Sequence, residues 1–266
     1  MNEEELRQRF NPEGSDLRLI QETMLSIMVE IDRICQKNGL RYWLCGGTTL
    51  GAVRHGGFIP WDDDIDIEMP VEDVRKFLKI APSQLPKHLV IQDHHTDPYF
   101  MFPFVKVRDT RTRITELTKI DRYYKYKGAF VDIFPTKACN PFLQKVAYQI
   151  QLNCLIRPAK YIPFKWFNTM LIGVRCLVYL IYRLFDWIDL LLKSDDIMIV
   201  YGCAKVNPKR PYNCIHPTRR IPFENTELSA PHDPDQYLRL IFGDYMKLPD
   251  LDKIAIHATK IEFIDQ

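Results

Sequence analysis

The sequence has 266 residues, of which 46% are hydrophobic, and its 36 lysines and arginines nearly balance 34 aspartates and glutamates, giving a formal net charge of +2. This length and apolar content allow a sizeable buried core, in one large domain or in a domain with an appended lobe. The balanced charge and the lack of a lysine and arginine block argue against a nucleic-acid polymer as a partner.

The cysteines and the N-terminal residues indicate the cellular compartment in which we expect the protein. Seven cysteines are an odd number and never form Cys-x-x-Cys, so they predict neither a disulfide framework nor a zinc knuckle. The opening residues, MNEEELRQRF, lack the basic and apolar regions of a secretory signal. We therefore expect a reducing, cytoplasmic location.

Apolar residues recur three and four positions apart between residues 17 and 34, which predicts an amphipathic helix. Ser15-Asp16 is a start signal for this helix, and Asn38-Gly39 is a stop signal. The helix leads to a short apolar strand at residues 41–45, which ends at a pair of glycines.

Gly46-Gly47 is followed by Thr48 to Arg54, which has the character of the first turns of a helix. Adjacent glycines permit positive φ and the close approach of a ligand, while a helix N-terminus favours an anion. This strand, turn and helix start predicts a phosphate site. A connecting turn without a ligand is the alternative interpretation.

Five carboxylates follow within a short stretch, at Asp62, Asp63, Asp64, Asp66 and Glu68. Polar and apolar residues alternate from Asp64 to Met69, so a strand here would place Asp64, Asp66 and Glu68 on one face. Such a row of like charges is unfavourable unless a cation neutralises it, and Mg²⁺ takes carboxylate and phosphate oxygens as ligands. A solvated acidic strand face is the alternative.

Residues 71–80 predict a helix that ends before Pro82, and residues 89–92 predict a strand. His94-His95-x-Asp97 predicts a polar loop rather than a metal site, because adjacent histidines point in different directions on regular elements. Alternation from Phe104 to Asp109 places Lys106 and Arg108 on one side of a strand. These two side chains could bind a pyrophosphate, or they could simply form a solvated face.

Asp132 interrupts the apolar segment 127–135. A carboxylate in such a strand is costly unless it is hydrogen-bonded, paired or bound to a metal. The later segment 141–192 is rich in Leu, Ile, Tyr and Trp and has helical spacing. Arg175 interrupts its longest apolar run, so we expect no transmembrane helix. The segment predicts either a helical lobe packed on the first half or an amphipathic element at a membrane surface.

The sequence GGTTLGAVRHGGFIPWDDDIDI resembles the signature of the LicD family of phosphotransferases, which includes the fukutin-like glycosylation enzymes. This family belongs to the nucleotidyltransferase-fold superfamily, whose pattern of a glycine pair and two acids around one apolar residue is matched by Gly46-Gly47 and Asp64-Ile65-Asp66. The FVDIFP segment and a C-terminal Gly243-Asp244-Tyr245 are also similar to the family. The resemblance runs from about residue 17 to 250 and is weak from 140 to 200.

The resemblance implies an α+β fold, with a nucleotidyltransferase-like mixed β-sheet core flanked by helices and an added, mainly helical lobe. We divide the chain into a catalytic core at 1–139, a helical, apolar insertion or lobe at 140–200, and a C-terminal part of the same domain at 201–266.

The resemblance also implies roles for individual residues. Asp64, Asp66 and Asp132 would be catalytic and, together with Asp62, would hold Mg²⁺ or alternatively Mn²⁺. The predicted phosphate or nucleotide contacts are Gly46, Gly47, Thr48, Arg54, Lys106 and Arg108.

The implied activity is transfer of a phosphate-linked alcohol, typically phosphocholine from CDP-choline, to a sugar of a surface polysaccharide, lipopolysaccharide or teichoic acid, with release of CMP. The partners would be a CDP-alcohol donor and a sugar or glycan-lipid acceptor, with peripheral contact at the inner membrane surface. A ribitol-phosphate donor fits the same core. Transfer of a nucleotide to a small molecule or protein, and a non-catalytic assembly role at the membrane, are the other hypotheses.

Overall fold

The computed structural model describes residues 2–116, 119–192, 197–204, 208–254 and 258–264. Its α-helices, α1 to α9 in chain order, are Glu3–Phe10, Asp16–Asn38, Gly46–His55, Val71–Gln84, Pro141–Gln151, Arg157–Tyr161, Lys165–Leu192, Tyr212–Ile215 and Pro234–Phe242. Its strands, β1 to β10, are Trp43–Leu44, Asp66–Pro70, Leu89–Gln92, Val105–Asp109, Thr112–Glu116, Phe130–Ala138, Ile197–Ile199, Arg219–Phe223, Thr226–Ala230 and Ala258–Phe263. A 3₁₀ turn covers Lys119–Tyr123 and a π-helical turn covers Leu152–Ile156.

The central sheet has the strand order β1-β2-β6-β4-β3, and β7 pairs with β6. Strands β2 and β6 are parallel, whereas the other pairs in this sheet are antiparallel. A mixed sheet with flanking helices confirms the predicted α+β class. Two small sheets, β8 with β9 and β5 with β10, lie outside the central one.

The strand register brings chemically active side chains together in the centre of the sheet. Asp66 on β2 lies beside Asp132 on β6, and Lys106 on β4 lies opposite Asp132. Neighbouring residues in register share a face of the sheet, so these three side chains lie on one side. Alternate residues of the same segment form the core on the other side, namely Ile65, Ile67 and Met69.

Helix α2 covers the apolar face of the sheet. The Ser15 hydroxyl oxygen accepts the N–H of Arg18 at its start, and Gly39, with φ +61°, ends it. The predicted helix is thus confirmed at both ends. Its inward side chains join the main hydrophobic core, among them Ile20, Met24, Ile27 and Ile31, and burial of each such side chain typically contributes about 1.5–3 kcal/mol.

Two predicted boundaries are wrong. Strand β2 begins at Asp66 rather than Asp64, because residues 62–65 form an irregular segment ahead of it. Helix α4 continues through Pro82 to Gln84. A proline this close to a helix end removes one backbone hydrogen bond and keeps a helical φ, so the last turn can tolerate it. The predicted polar loop at His94 and His95 is confirmed as a series of turns.

Helices α5, α6 and α7 form a lobe with a hydrophobic core of its own, which includes Ala147, Leu155, Leu171, Val178 and Tyr201. Within the part of the chain that the structure describes, no helix is both long and apolar enough to cross a membrane. Residues Ile197–Ile199 return to the central sheet as β7. The three-part division of the chain stays a prediction.

Candidate active site

The glycine pair forms the first turn of α3, directly after β1. Gly46 has φ +52°, in the left-handed region that glycine adopts readily. A Cβ atom on Gly47 would lie 2.9 Å from Oδ2 of Asp62. The first glycine therefore allows the turn, and the second allows a carboxylate to approach the N-terminus of α3, which favours negative charge.

Thr48 holds the beginning of β2. Its side chain is buried, and its hydroxyl oxygen accepts the N–H of Asp66 at 2.8 Å. The N–H of Gly46 donates to the hydroxyl group of Tyr237 at 3.2 Å, which ties the turn to α9. The structure thus brings Gly46, Gly47 and Thr48 to the acids, and phosphate binding by them stays a prediction.

Asp62, Asp63 and Asp64 form a compact group ahead of β2. Each offers a carboxylate oxygen, and these oxygens lie within 4.8 Å of one another. Nε2 of Gln21 on α2 donates to the carbonyl oxygen of Asp62 at 2.8 Å, which fixes this segment. Sequence reasoning missed Asp63 because the alternation from Asp64 to Met69 does not include it, and residue 63 also precedes the observed strand.

Asp66 and Asp132 extend this group into the sheet. Burial raises the pKa of Asp66 well above its ordinary value, and the charges of Asp64, Asp132 and Asp62 raise it further, against the opposing effect of Lys106. The acids therefore influence one another as one cluster.

Burial and neighbouring acids also raise the pKa of Asp62. Burial raises it well above the ordinary aspartate value, and Asp64 and Asp63 raise it further. Carboxylates gathered in this way strongly favour a nearby cation, which would lower their pKa values again. A donor set made only of carboxylate oxygens suits a hard divalent cation such as Mg²⁺ or Mn²⁺.

Lys106 supplies part of the compensating charge. Its Nζ lies 2.6 and 2.9 Å from the two carboxylate oxygens of Asp132. The same Nζ lies 3.4 Å from the centroid of the Phe130 ring. The structure therefore brings Lys106 to the acids, and phosphate binding by Lys106 stays a prediction.

The two predicted arginines are engaged with the protein backbone. Nη1 of Arg108 donates to the carbonyl oxygen of Gly128 at 2.7 Å, and the side chain is 1% exposed. Nη1 of Arg54 donates to the carbonyl oxygen of Tyr245 at 2.7 Å. Arg54 is in the last turn of α3, about 12 Å along the helix axis from Gly46. Phosphate binding by either arginine stays a prediction.

Two cavities adjoin the acids. One, of about 190 Å³, is lined in part by Gly46, Asp66 and Arg210. The other, of about 300 Å³, is lined in part by Lys106 and Asp132. Because Asp66 and Asp132 are neighbours in the sheet, the carboxylate cluster borders both cavities.

Glu68, the last acid of the row, has a different environment. Nε1 of Trp43 donates to its Oε2 at 2.9 Å, and Nη1 of Arg210 donates to its Oε1. Both members of this ion pair are 1% exposed. Sequence reasoning missed Arg210 because it lies 142 residues from Glu68 and stands in no recognisable pattern.

Part of the chain matches a described protein family. Residues 39–170 match the family model described as LicD/FKTN/FKRP, nucleotidyltransferase domain. The matched range contains the glycine pair, Lys106 and all the carboxylates of the cluster.

Individual relatives match over shorter segments. The chain is similar to the lipopolysaccharide cholinephosphotransferase LicD of Haemophilus influenzae, with 33% identity over 119 residues, 44% of this chain and 43% of that protein. It is similar to the human ribitol 5-phosphate transferase FKRP, with 45% identity over 58 residues, 22% of this chain and 11% of that protein. An uncharacterized Rickettsia typhi protein is 43% identical over 60 residues, 23% of this chain and 19% of that protein. The chain thus spans less than half the length of each of these relatives.

Proposed function

Residues 39–170 belong to the LicD/FKTN/FKRP family of nucleotidyltransferase domains, and on this premise we propose that the protein is a metal-dependent phosphotransferase. It moves a phosphate-linked alcohol from a CDP-alcohol onto a sugar of a cell-surface glycan and releases CMP. The observation that supports this proposal most directly is the β2 and β6 register, which sets Asp66 beside Asp132 at the border of two cavities.

Asp62, Asp64, Asp66 and Asp132 are the proposed metal ligands, and Asp63 is added to them because its carboxylate lies in the same group. A bound Mg²⁺ or Mn²⁺ would neutralise charge on the diphosphate of the donor. The Gly46 N–H donates to the Tyr237 hydroxyl group, so the N-terminus of α3 attracts phosphate oxygens at Gly47, through the positive end of the helix.

In the proposed reaction, a hydroxyl oxygen of the acceptor sugar attacks the phosphorus atom that carries the alcohol. A new P–O bond forms to the sugar, the P–O bond to CMP breaks, and CMP leaves with the electron pair. Asp132 either completes the metal site or serves as the base for the proton of the attacking hydroxyl group. Lys106, whose Nζ is 2.6 Å from that carboxylate, orients it and stabilises its negative charge.

CDP-choline is the first candidate donor, because the similar Haemophilus influenzae protein is named as a cholinephosphotransferase. The acceptor would then be a sugar of lipopolysaccharide, teichoic acid or another cell-surface polysaccharide. A location in the cytoplasm agrees with a nucleotide-activated donor and with seven cysteines that are all free thiols.

A specific observation favours a polyol phosphate as the second candidate. In the cavity beside Asp132, Lys106 lies over the rings of Phe130 and Phe104 at 3.4 and 5.5 Å, and Arg108 lies over Phe130 at 4.7 Å. A quaternary ammonium group binds to aromatic faces, and the protein's own cations cover these two. A ribitol chain could instead exchange hydrogen bonds with Lys106 and Asp132, and the similar human protein is named as a ribitol 5-phosphate transferase.

The proposal can be tested by calorimetric titration of CDP-choline, CDP-ribitol and CTP into the protein with Mg²⁺. We expect one CDP-alcohol to bind only with the metal, and an Asp64→Asn, Asp66→Asn variant to bind it at least about tenfold more weakly. An Asp244→Asn, Asp252→Asn variant, which removes two exposed carboxylates elsewhere, should bind like the wild type.

The other outcomes of the titration separate the alternatives. Binding of CTP alone would favour nucleotidyl transfer, which the mass of the product would then identify. Binding of Mg²⁺ without turnover of any CDP-alcohol would favour a non-catalytic role. Equal binding by the wild type and the Asp64→Asn, Asp66→Asn variant would contradict the proposed site.

A further inference from the structure

Helix α7 has apolar side chains on both sides: Leu171 and Val178 pack in the core of the lobe, whereas a second apolar stripe faces solvent. Trp166, Leu177 and Trp187 are 69%, 64% and 71% exposed, whereas Asn168 and Arg175 are 4% and 5% exposed. A surface helix of a globular protein normally has polar and charged residues on the side that faces away from the core. We therefore expect the outer side of α7 to contact an apolar partner.

The inward polar groups are satisfied by the fold, which fixes the rotation of the helix. Nη1 of Arg175 donates to the carbonyl oxygens of Pro98 and Phe100 at 2.7 and 3.1 Å. Nδ2 of Asn168 donates to the carbonyl oxygen of Ile162 at 2.9 Å. These contacts, and the burial of Leu171 and Val178, would be lost if the helix rotated to bury the exposed stripe.

The exposed apolar side chains form one long stripe. They recur with helical spacing and include Trp166, Met170, Leu177, Leu180, Leu184 and Trp187. With Leu191, which is 81% exposed, the stripe extends over about 37 Å of helix axis. We call these seven residues the exposed face of α7. A contiguous apolar patch of this length marks an interaction site.

The charges on and beside this face are mainly positive. Lys165 at the start of α7 and Arg183 within it are exposed. The two acids of the helix, Asp186 and Asp189, both lie within ion-pair distance of Lys137 on β6. Residues 141–192 as a whole hold six lysines and arginines but only these two acids. The surface therefore combines apolar area with a small excess of positive charge.

We propose that the exposed face of α7 docks on the surface of an anionic lipid bilayer, with the helix lying in the plane of the interface. Leucine and methionine side chains enter the boundary of the acyl chains, as in other interfacial amphipathic helices. Trp166 and Trp187, near opposite ends of the helix, take the headgroup position that tryptophan favours. Lys165 and Arg183 contact anionic headgroups.

A second copy of the chain is a poorer occupant for this face. In a twofold dimer the same patch meets itself, so this face, with its excess of positive charge, would pack on a surface of the same net charge. Two surfaces with a net charge of the same sign repel one another. The charge of the face thus selects an anionic partner.

Docking on a bilayer would also affect where the acceptor meets the site, and this step rests on the proposed function. Ile156 and Lys160 of the same lobe line the cavity that contains Lys106 and Asp132. A bilayer against α7 would bring a lipid-linked acceptor near the lobe that borders this cavity. Docking itself requires no donor and no metal, so it can fail or succeed independently of the transferase reaction.

The test is cosedimentation of the full chain with vesicles of phosphatidylcholine containing phosphatidylglycerol, in parallel with vesicles of phosphatidylcholine alone. We expect binding to the anionic vesicles and a shift of tryptophan emission to shorter wavelength. A Leu177→Glu, Leu184→Glu variant should bind at least about tenfold more weakly, since each change removes a leucine from the apolar interface and adds a negative charge. Circular dichroism and turnover of a water-soluble acceptor would establish that the variant is folded.

A Leu240→Glu, Met246→Glu variant is the matched control, because it makes the same chemical change at two exposed positions outside the lobe, 43% and 57% exposed. It should bind vesicles like the wild type. The proposal is overturned if the wild type ignores both kinds of vesicle, or if the α7 variant binds as well as the control. It is also overturned if the wild type is a dimer and the Leu177→Glu, Leu184→Glu variant is a monomer. That result would show that a second copy of the chain covers the exposed face of α7.

Discussion

Asp62 can approach the N-terminus of α3 only because residue 47 has no side chain. The 2.9 Å separation between an added Cβ and Oδ2 of Asp62 is shorter than real contacts allow. The atom that would have to move is the end of an acidic side chain and not the backbone. The geometry of the carboxylate cluster is therefore more sensitive to residue 47 than the fold is.

Gly47→Ala should consequently weaken Mg²⁺ binding and transferase activity, by about tenfold or more, while the free energy of unfolding changes by less than about 1 kcal/mol. The reason is that the alanine methyl group displaces the Asp62 carboxylate from the other acids. Metal titration, steady-state kinetics and urea denaturation of the same variant would measure the three quantities.

Two other glycines in helices provide controls for this experiment. A Cβ on Gly173 of α7 would have no atom within 4 Å. Gly173→Ala should therefore leave activity unchanged, and the free energy of unfolding should stay equal or rise slightly. A Cβ on Gly51 of α3 would lie 2.4 Å from the carbonyl oxygen of Gly57, so Gly51→Ala should destabilise the fold itself. If Gly47→Ala behaves like Gly173→Ala in metal binding, the proposed position of Asp62 in the site is wrong.

At the scale of elements, the buried ion pair of Glu68 and Arg210 joins β2 to the C-terminal part of the chain. The Tyr237 hydroxyl group, on α9, lies 3.5 Å from both partners and also accepts the N–H of Gly46. Burial of Glu68 without its partner would leave an uncompensated carboxylate in a medium of low polarity. The pair therefore fixes the C-terminal part against the same turn that begins the site.

Arg210→Met should lower the free energy of unfolding by about 3–5 kcal/mol, since it leaves Glu68 buried and unpaired. Adding Glu68→Gln should restore part of this loss, because the remaining neutral amide can still accept a hydrogen bond from Trp43. Urea denaturation of the wild type, both single variants and the double variant gives the coupling energy. Strictly additive effects would show that the ion pair does not join the two elements.

The sequence predicted those parts of the fold and site that depend on local patterns. Alternation at Ile65, Ile67 and Met69 identified the buried face of the acidic segment, and the spacing from residue 17 to 34 identified α2. The glycine pair, Asp66 and Asp132 lie together as the family pattern implies. Periodicity and end signals are sufficient for such elements because the side chains concerned contact the core directly.

The remaining features depend on contacts between distant parts of the chain. Arg210 pairs with an acid 142 residues away, and Tyr237 reaches the Gly46 N–H from α9. Asp63 belongs to the carboxylate group because the chain is irregular before β2, which strand alternation could not reveal. Arg108 lies on the predicted strand, yet its guanidinium group binds the Gly128 carbonyl oxygen. Single-sequence patterns contain no information on these tertiary partners.

At the scale of the whole molecule, the main core and the core of the lobe meet at the loop between β3 and β4. Arg175 of α7 donates to carbonyl oxygens in this loop, and the Tyr99 hydroxyl group lies 3.1 Å from that of Thr169. The loop also includes His94, whose ring lies 5.3 Å from the ring of Tyr179 on α7. The attachment of the lobe therefore includes a titratable group.

Acid should weaken this attachment through His94. Burial lowers the pKa of its imidazole to about 4, with help from the neighbouring His95 and Arg175 and against the opposing charge of Asp93. In an unfolded chain a histidine takes up its proton below about pH 6.5. Between these two values the unfolded state binds more protons than the folded state, so the free energy of unfolding falls as the pH decreases through this window.

Above about pH 6.5 both states hold a neutral His94, so this contribution to the pH dependence is absent there. His94→Gln has no proton to gain at this position and should lose less stability than the wild type between about pH 7 and pH 5. Urea denaturation followed by circular dichroism across that range measures the difference, and His232→Gln, at an exposed position, controls for the loss of one imidazole. Parallel stability profiles for the wild type and His94→Gln would mean that the junction between the lobe and the sheet does not exclude a proton from His94, and the lobe would then remain attached equally well in acid.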